Sequence, residues 1–256
     1  MENRWTAAQD YDQYAARLQK RNAAILANAI PNGPVYGHAL DAGCGTGFAT
    51  AALLEARPVR AVTAVDVSRE MLSRAERNLL RFQDHEISYV NQSITNLPES
   101  HSYDLIISNA ALHWTYPDIG GAINHLAGLL RPGGYIAFAT AGRSAASEEF
   151  DEKISNAIVS VGGTIDRHPF RQRRISTDEA IRFCEGAGLD VIEAFVIERT
   201  TSVAPDEYVA WAASSGRAWA ELPDGEASLA AEILSYAEEF RVGHWSTLIV
   251  ARSVHS

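Results

Sequence analysis

Basic residues are scarce in this chain. Lys and Arg number 22 against 32 Asp and Glu, a formal charge of −10, so a nucleic-acid substrate is not expected, because phosphate binding generally shows as a net basic face. Cysteine is scarcer still: Cys44 and Cys184 are the 2 in 256 residues. Two cysteines give neither a disulfide framework nor a metal-ligand cluster, so both read as reduced packing residues and no metal is expected. No apolar run approaches membrane-spanning length, and the opening Met1-Glu2-Asn3-Arg4-Trp5 lacks the apolar core of a signal peptide. These absences lead us to expect a cytoplasmic protein without a membrane partner. Internal repeats and low-complexity linkers are also missing. What remains is a chain that is 46% hydrophobic over 256 residues, enough to bury a sizeable core as one large domain or as one domain with an inserted cap.

The informative stretch is Leu40-Asp41-Ala42-Gly43-Cys44-Gly45-Thr46-Gly47. Val35 to Leu40 is short and mostly apolar, as a first central strand should be. Phe48 to Ala56 has helical spacing and ends before Pro58. Glycine between them allows a sharp turn and a close ligand approach, and the helix N-terminus offers N–H groups to a negative group. The dinucleotide pattern G-x-G-x-x-G wants glycine at position 48, where Phe48 stands, so nicotinamide binding is disfavoured. Asp41, at the carboxyl end of the first strand, suits a ligand that carries an ammonium group.

A second buried strand, Val59–Asp66, ends in an acid. A carboxylate at that strand end can accept hydrogen bonds from two ribose hydroxyls. Its other reading is a cap for the following helix, a role that Ser68 also fills. Ile87–Asn91 reads as a third strand and Tyr103–Asn109 as a fourth, with Ala110-Ala111-Leu112-His113-Trp114 at its carboxyl end. Ligands of open α/β sheets bind at those ends, so this segment should share the crevice with Asp41 and Asp66. Pro117–Leu130 reads as a helix, and Arg131-Pro132-Gly133-Gly134 as a turn into the strand Tyr135–Thr140. Further on, Glu148–Val161 and Asp178–Ala187 read as helices, and Leu189–Arg199 and Trp245–Ala251 as strands.

The pattern D-x-G-x-G-x-G at Asp41, Gly43, Gly45 and Gly47 closely resembles motif I of the class I S-adenosylmethionine (SAM) dependent methyltransferases, in the type 11/12 group. Leu129–Gly134 resembles their L-[KR]-P-G-G segment. The stretch A-L-H-W at 111–114, with Tyr11-Asp12-Gln13-Tyr14-Ala15 upstream, looks most like the trans-aconitate and malonyl-carrier-protein O-methyltransferase branch. The resemblance implies an α/β fold: a doubly wound, mostly parallel seven-stranded sheet with an inserted helical cap. It implies SAM as cofactor and S-adenosylhomocysteine as product. By resemblance, Val67 and Met71 lie beside the adenine, and the backbone around Asn109 meets the methionine part. An aspartate usually stands where Ser93 stands; Ser93 can accept one hydrogen bond and the N–H of Ile94 could serve a ring nitrogen. The missing N-P-P-[FY] tetrapeptide argues against an amide or exocyclic amino acceptor.

Residues 9–29 read as an amphipathic helix that packs on the sheet edge. By resemblance it is a lid, with Tyr11 closing over SAM and Tyr14 over the substrate. His113 is the candidate general base, since imidazole titrates near neutral pH; its plainer reading is a hydrogen-bonded wall residue. Relatives usually carry glutamine there, so a hydroxyl or amine acceptor competes with a carboxylate. Trp114 reads as a pocket wall or a substrate contact. The basic run holding Arg171, Arg173 and Arg174 is a solvated face, a binder for an anionic substrate, or a dock for an acidic carrier protein.

The expected organisation is a lid over 1–34, a SAM-binding core over 35–141, a cap insertion over 142–176, a core helix and strand over 177–200, a second cap insertion over 201–243 and a final strand over 244–256. The expected activity is methyl transfer to a small-molecule acceptor, carboxylate or hydroxyl oxygen, free or carrier-bound, by a monomer or homodimer. A SAM-binding cyclase or eliminase, or a non-catalytic SAM-binding partner, would share these motifs.

Overall fold

The computed structural model describes residues 8–33, 35–98, 103–162, 170–202 and 241–254. Seven strands form one sheet: β1 Tyr36–Ala42, β2 Val59–Asp66, β3 Glu86–Asn91, β4 Tyr103–Asn109, β5 Leu130–Ala141, β6 Leu189–Ser202 and β7 Arg241–Ser253. Their order is β3-β2-β1-β4-β5-β7-β6. The first five are parallel, and β7 runs antiparallel between β5 and β6. The helices are α1 Ala8–Ala29, α2 Phe48–Ala56, α3 Arg69–Asn78, α4 Ile119–Gly128, α5 Ala145–Ser160 and α6 Thr177–Gly186.

The central strands are apolar on both faces because helices cover both. Successive residues divide between the two layers with the strand period of two. Leu105 and Ile107 pack with Ala23, Leu26 and Leu53 of α1 and α2. Ile106 packs with Ile123, Leu126 and Ala180 of α4 and α6. α1 packs over the interior strands β4 and β5 and beside α2, not on the sheet edge expected from its amphipathic pattern, because Ala23 and Leu26, both 0% exposed, fit against Leu105 and Ile107. Arg57, 8% exposed, ties the end of α1 to the end of α2: its Nε donates to Ile30 O at 2.9 Å and its Nη2 to Asn28 O at 2.7 Å.

Short side chains set the starts of four helices. Ser68 accepts from Met71 N, Asp118 from Gly121 N, Ser144 from Ser147 N and Ser176 from Glu179 N. At α6 the Glu179 side chain answers Ser176 in a full capping box.

Most boundaries shift by a few residues from the sequence reading, β6 and β7 run longer than expected, and the changes at β1 and β5 have local causes. β1 starts one residue later and runs on to Ala42, because pairing with β2 continues through Asp41 and Ala42, whereas Val35 is 51% exposed. The Gly133-Gly134 pair lies within β5, where the register with β4 shifts between Tyr103 and Leu105. A side chain on Gly134 would meet the Arg131, Asp104 and Tyr103 carbonyls at 3.0–3.1 Å, so the pair serves an irregularity in the ladder.

The segment 142–176 leaves and re-enters the sheet at one point. Gly142 bridges Ile175, Arg143 N donates to Ile175 O at 2.9 Å, and Ile175 N donates to Ala141 O at 3.0 Å. The expected second insertion, 201–243, lies almost wholly outside the described residues. No described helix is long and apolar enough to cross a membrane.

Candidate functional site

A cavity opens at the carboxyl ends of β1, β2 and β4, where the strand order reverses around β1. Gly43, Cys44, Gly45 and Thr46 line it from the first turn, and Asp66 and Val67 from the second. Met71 comes from α3, Gln92, Ser93 and Ile94 from the β3 turn, Asn109, Ala110, Ala111, Trp114 and Thr115 from the β4 turn, and Gln19 from α1.

The three glycines of the first turn all have positive φ, at 78°, 52° and 91°, but they serve different ends. A side chain on Gly43 would lie 2.3 Å from the Ala111 Cβ, so this glycine lets the β1 and β4 turns touch. One on Gly47 would lie 3.0 Å from Leu79, so this one lets α3 pack against the turn. One on Gly45 meets nothing within 4 Å. Gly45 is the glycine that leaves backbone open to a ligand.

Asp66 bridges two turns. Its Oδ2 accepts from Gly45 N at 2.9 Å and its Oδ1 from Ser68 N at 2.8 Å. Burial pushes the carboxyl upward, and the N–H groups of Ser68, Gly45 and Val67 oppose that shift. The helix-cap role belongs to Ser68, which leaves Asp66 to hold the turn and face the cavity.

Asp41 lies behind the turn and is not part of the cavity lining. It is 0% exposed. Thr50 Oγ1 donates to its Oδ2 at 2.6 Å, while its Oδ1 is buried without a hydrogen-bond partner among the described residues. Burial pushes its carboxyl up to about 7.

At the β4 end Asn109 is 9% exposed. Its Nδ2 donates to Gln19 O at 3.2 Å, and its Oδ1 is buried without a partner among the described residues. The next residue, Ala110, has φ 59°, a left-handed conformation that is uncommon outside glycine. Its N–H donates to Ala139 O at 2.7 Å, which aims the turn across the cavity.

His113 is 6% exposed, with Nδ1 3.3 Å from Thr140 Oγ1 and its ring 4.9 Å from that of Trp114. Trp114 lines the cavity and His113 does not. The base expected at His113 is thus placed behind the wall, because the 3-10 turn Leu112–Thr115 sends successive side chains in different directions. Cys44 and Asp66 are the titratable side chains among the described lining residues. Burial, then Asp41 and Asp66, push the Cys44 thiol well above its ordinary range.

The arginines separate. Arg174 is 5% exposed and is spent on a buried pair, with Nε 2.9 Å from Asp151 Oδ2, Nη2 3.2 Å from Oδ1, and Nη1 donating to Gly142 O at 3.2 Å. The expected substrate role does not fit this placement, since the guanidinium is fully engaged in rooting the 142–176 segment. Arg171 is exposed. Arg173 stacks with its Cζ 4.6 Å from the Trp114 ring centre. Tyr11 and Tyr14 fall within α1, but their side chains lie outside the described residues. Gln19, Thr46, Gln92 and Thr115 line the cavity without being singled out by the sequence; three flank residues that motif spacing picks out, and Gln19 carries no local signal at all.

A doubly wound sheet with a cavity at this switch point, a glycine turn on β1 and an acid closing β2 is a Rossmann-like α/β architecture. Residues 40–136 match the methyltransferase domain family, and over that span the chain is similar to it. The chain is 32% identical over 182 residues to a malonyl-[acyl-carrier protein] O-methyltransferase of Priestia megaterium, covering 70% of this chain and 64% of that protein. It is 34% identical over 127 residues to a trans-aconitate 2-methyltransferase of an Enterobacter species, covering 50% of this chain and 47% of that protein. The chain thus spans about half to just under two thirds of the curated relatives it matches. The structure of N-methyltransferase NodS from Bradyrhizobium japonicum, in complex with S-adenosylhomocysteine, superposes with a TM-score of 0.56 at 16% identity, covering 93% of this chain and 87% of that one.

Proposed function

We propose that this protein transfers the methyl group of SAM to a carboxylate oxygen of a small organic acid, free or linked to a carrier protein. The observation that carries the reading is the Asp66 carboxylate, held by two backbone N–H groups at the mouth of a cavity on the methyltransferase switch point. Bound SAM supplies a sulfonium-activated methyl group. Asp66 accepts the ribose hydroxyls, and Val67, Met71 and Ile94 cover the faces of the base. The backbone of Gly43–Thr46 and the Asn109 Oδ1 hold the amino-acid part. A buried acceptor oxygen without a donor has a standing deficit, and an ammonium group supplies what it lacks. Asp41 acts at one remove, fixing the turn through Thr50.

With SAM bound, an acceptor oxygen held in line would form its bond to the methyl carbon as the sulfonium S–C bond breaks and S-adenosylhomocysteine leaves, and positioning alone can contribute about 7–11 kcal/mol to the barrier reduction. A carboxylate needs no base, which agrees with a described lining that offers Cys44 and Asp66 as its titratable groups. Trp114 and Thr115 wall the acceptor side, and Arg173 on Trp114 brings positive charge to it. The 142–176 segment is read as a cap on this side; the second cap insertion, 201–243, lies almost wholly outside the described residues, as do the Tyr11 and Tyr14 side chains read as a lid. The 142–176 segment supports that reading because its two ends meet at the carboxyl end of β5. The protein works in the cytoplasm as a monomer or homodimer, without nucleic acid.

Titration calorimetry with SAM and S-adenosylhomocysteine, followed by product mass on di- and tricarboxylic acids and on malonyl thioesters, tests the reading. A gain of one methyl group on the acid supports it. An isomerised product, or tight cofactor binding without turnover, removes methyl transfer. His113→Gln should keep carboxylate turnover within about threefold, whereas loss of a true general base costs about 10²–10⁴-fold.

A further inference from the structure

Polar side chains at the base end of the cavity are neutral, and the Ser93 hydroxyl and the Gln92 amide nitrogen are engaged within their own loop. Ser93 Oγ accepts from Thr95 N at 3.3 Å and shares a 2.8 Å hydrogen bond with Thr95 Oγ1, in which either hydroxyl can be the donor. Gln92 Nε2 donates to Asn96 O at 2.5 Å. What the same end does offer is apolar. Ile94 and Met71 are at most 8% exposed, and Val67 lines the cavity while 53% exposed. A large apolar side chain left half open at a cavity mouth is matched to a flat partner that covers it. The nearest cavity acid, Asp66, has the ribose position and two backbone donors of its own.

Adenine carries two kinds of recognition feature: two apolar faces and an edge whose 6-amino group donates hydrogen bonds. An enzyme that reads the amino group needs an acceptor aimed at it, and a carboxylate is the strong form because charge assistance roughly doubles a hydrogen bond. A neutral hydroxyl already shared with Thr95 is the weak form. We infer that this site holds the nucleoside by its base faces and its ribose, and that Ser93 leaves the 6-amino group unread, so that purine nucleosides altered at position 6 are accepted as donors and product analogues. This rests on the SAM reading above and adds to it a tolerance at the base.

The test compares S-adenosylhomocysteine with its analogue bearing hydrogen in place of the 6-amino group, which keeps every ring nitrogen and the ribose. Calorimetry on the wild-type chain should give dissociation constants within about threefold of each other. Ser93→Asp should open a preference of at least tenfold for the amino-bearing compound. A tenfold or greater preference in the wild-type chain overturns the inference while leaving SAM binding intact. An unchanged ratio in Ser93→Asp overturns the assignment of the tolerance to Ser93. Failure of both compounds to bind overturns the SAM reading and this inference together. Should Ser93→Asp not fold, the wild-type ratio alone decides the tolerance.

Discussion

The two halves of the sheet hold the segments at their carboxyl ends by different means. On the β1, β2, β3 and β4 side, the cavity is shaped by backbone groups at strand ends: Gly43 N and Cys44 N on Val65 O, Gly45 N and Ser68 N on Asp66. On the β5, β6 and β7 side, long or distant side chains add to backbone bonds such as Arg143 N to Ile175 O. Arg174 reaches Asp151 and Gly142, Thr247 Oγ1 donates to Ile175 O, and Asn22 of α1 donates to Ser246 of β7. The difference teaches that the cavity is built from the strand-turn frame itself, whereas the segments that follow β5 depend on how they are pinned to that frame. One side can therefore be damaged without the other.

The largest separation should come from Arg174→Met. It strands the Asp151 carboxylate, whose side chain is 17% exposed, in a pair where Arg174 is 4% exposed. Breaking a buried pair of this kind costs about 3–5 kcal/mol. Chemical denaturation should show a loss of that order, while the affinity of the folded variant for S-adenosylhomocysteine stays within about threefold. Arg174→Met combined with Asp151→Leu should recover most of the stability. A large fall in cofactor affinity in the single variant would mean that the two halves are coupled.

Asp66→Asn works from the other side. Losing one charged acceptor of ligand hydroxyls weakens SAM binding by about 10–100-fold, at about 1.5–3 kcal/mol for a hydrogen bond to a charged group. Affinity unchanged in calorimetry would take Asp66 out of the site, and with it the observation on which the function rests.

A smaller effect is read as a slope. Asp41 titrates at about 7 in the folded chain against an ordinary 3.8. Between those values the native state keeps a proton that the unfolded chain has lost, so the contribution of Asp41 to stability falls as pH rises from about 4 to about 7 and is flat above. Asp41→Asn should remove that part of the decline in denaturation curves measured across the interval. A slope identical to wild type would mean that the carboxyl is ionised in the native state.

Much of the donor half is legible in the amino-acid sequence. β2 and β4 lie where their apolar runs stop, and Gly43, Gly45, Asp66, Val67, Met71, Ser93, Ile94 and Asn109 all reach one cavity, whereas Gly47 packs against Leu79 instead. Other placements are less legible. Asp41, His113 and Arg174 stand out in the sequence for their chemistry, and each is buried in a direction that chemistry does not reveal. Gln19 reaches the cavity from a helix 90 residues away from Asn109 in sequence.

The amino-acid sequence by itself determined the strand order's raw material and the cofactor crevice, because glycine at positive φ, a strand-ending acid and an apolar run act through neighbours within a few residues. Only the tertiary structure decided which of three nearby arginines is buried in an ion pair and which stacks on the cavity wall. It also decided that His113 stands behind Trp114 and that Gly43 serves a loop contact with Ala111. A side chain's type is fixed locally, but its direction and its burial are set by elements that arrive from elsewhere in the chain.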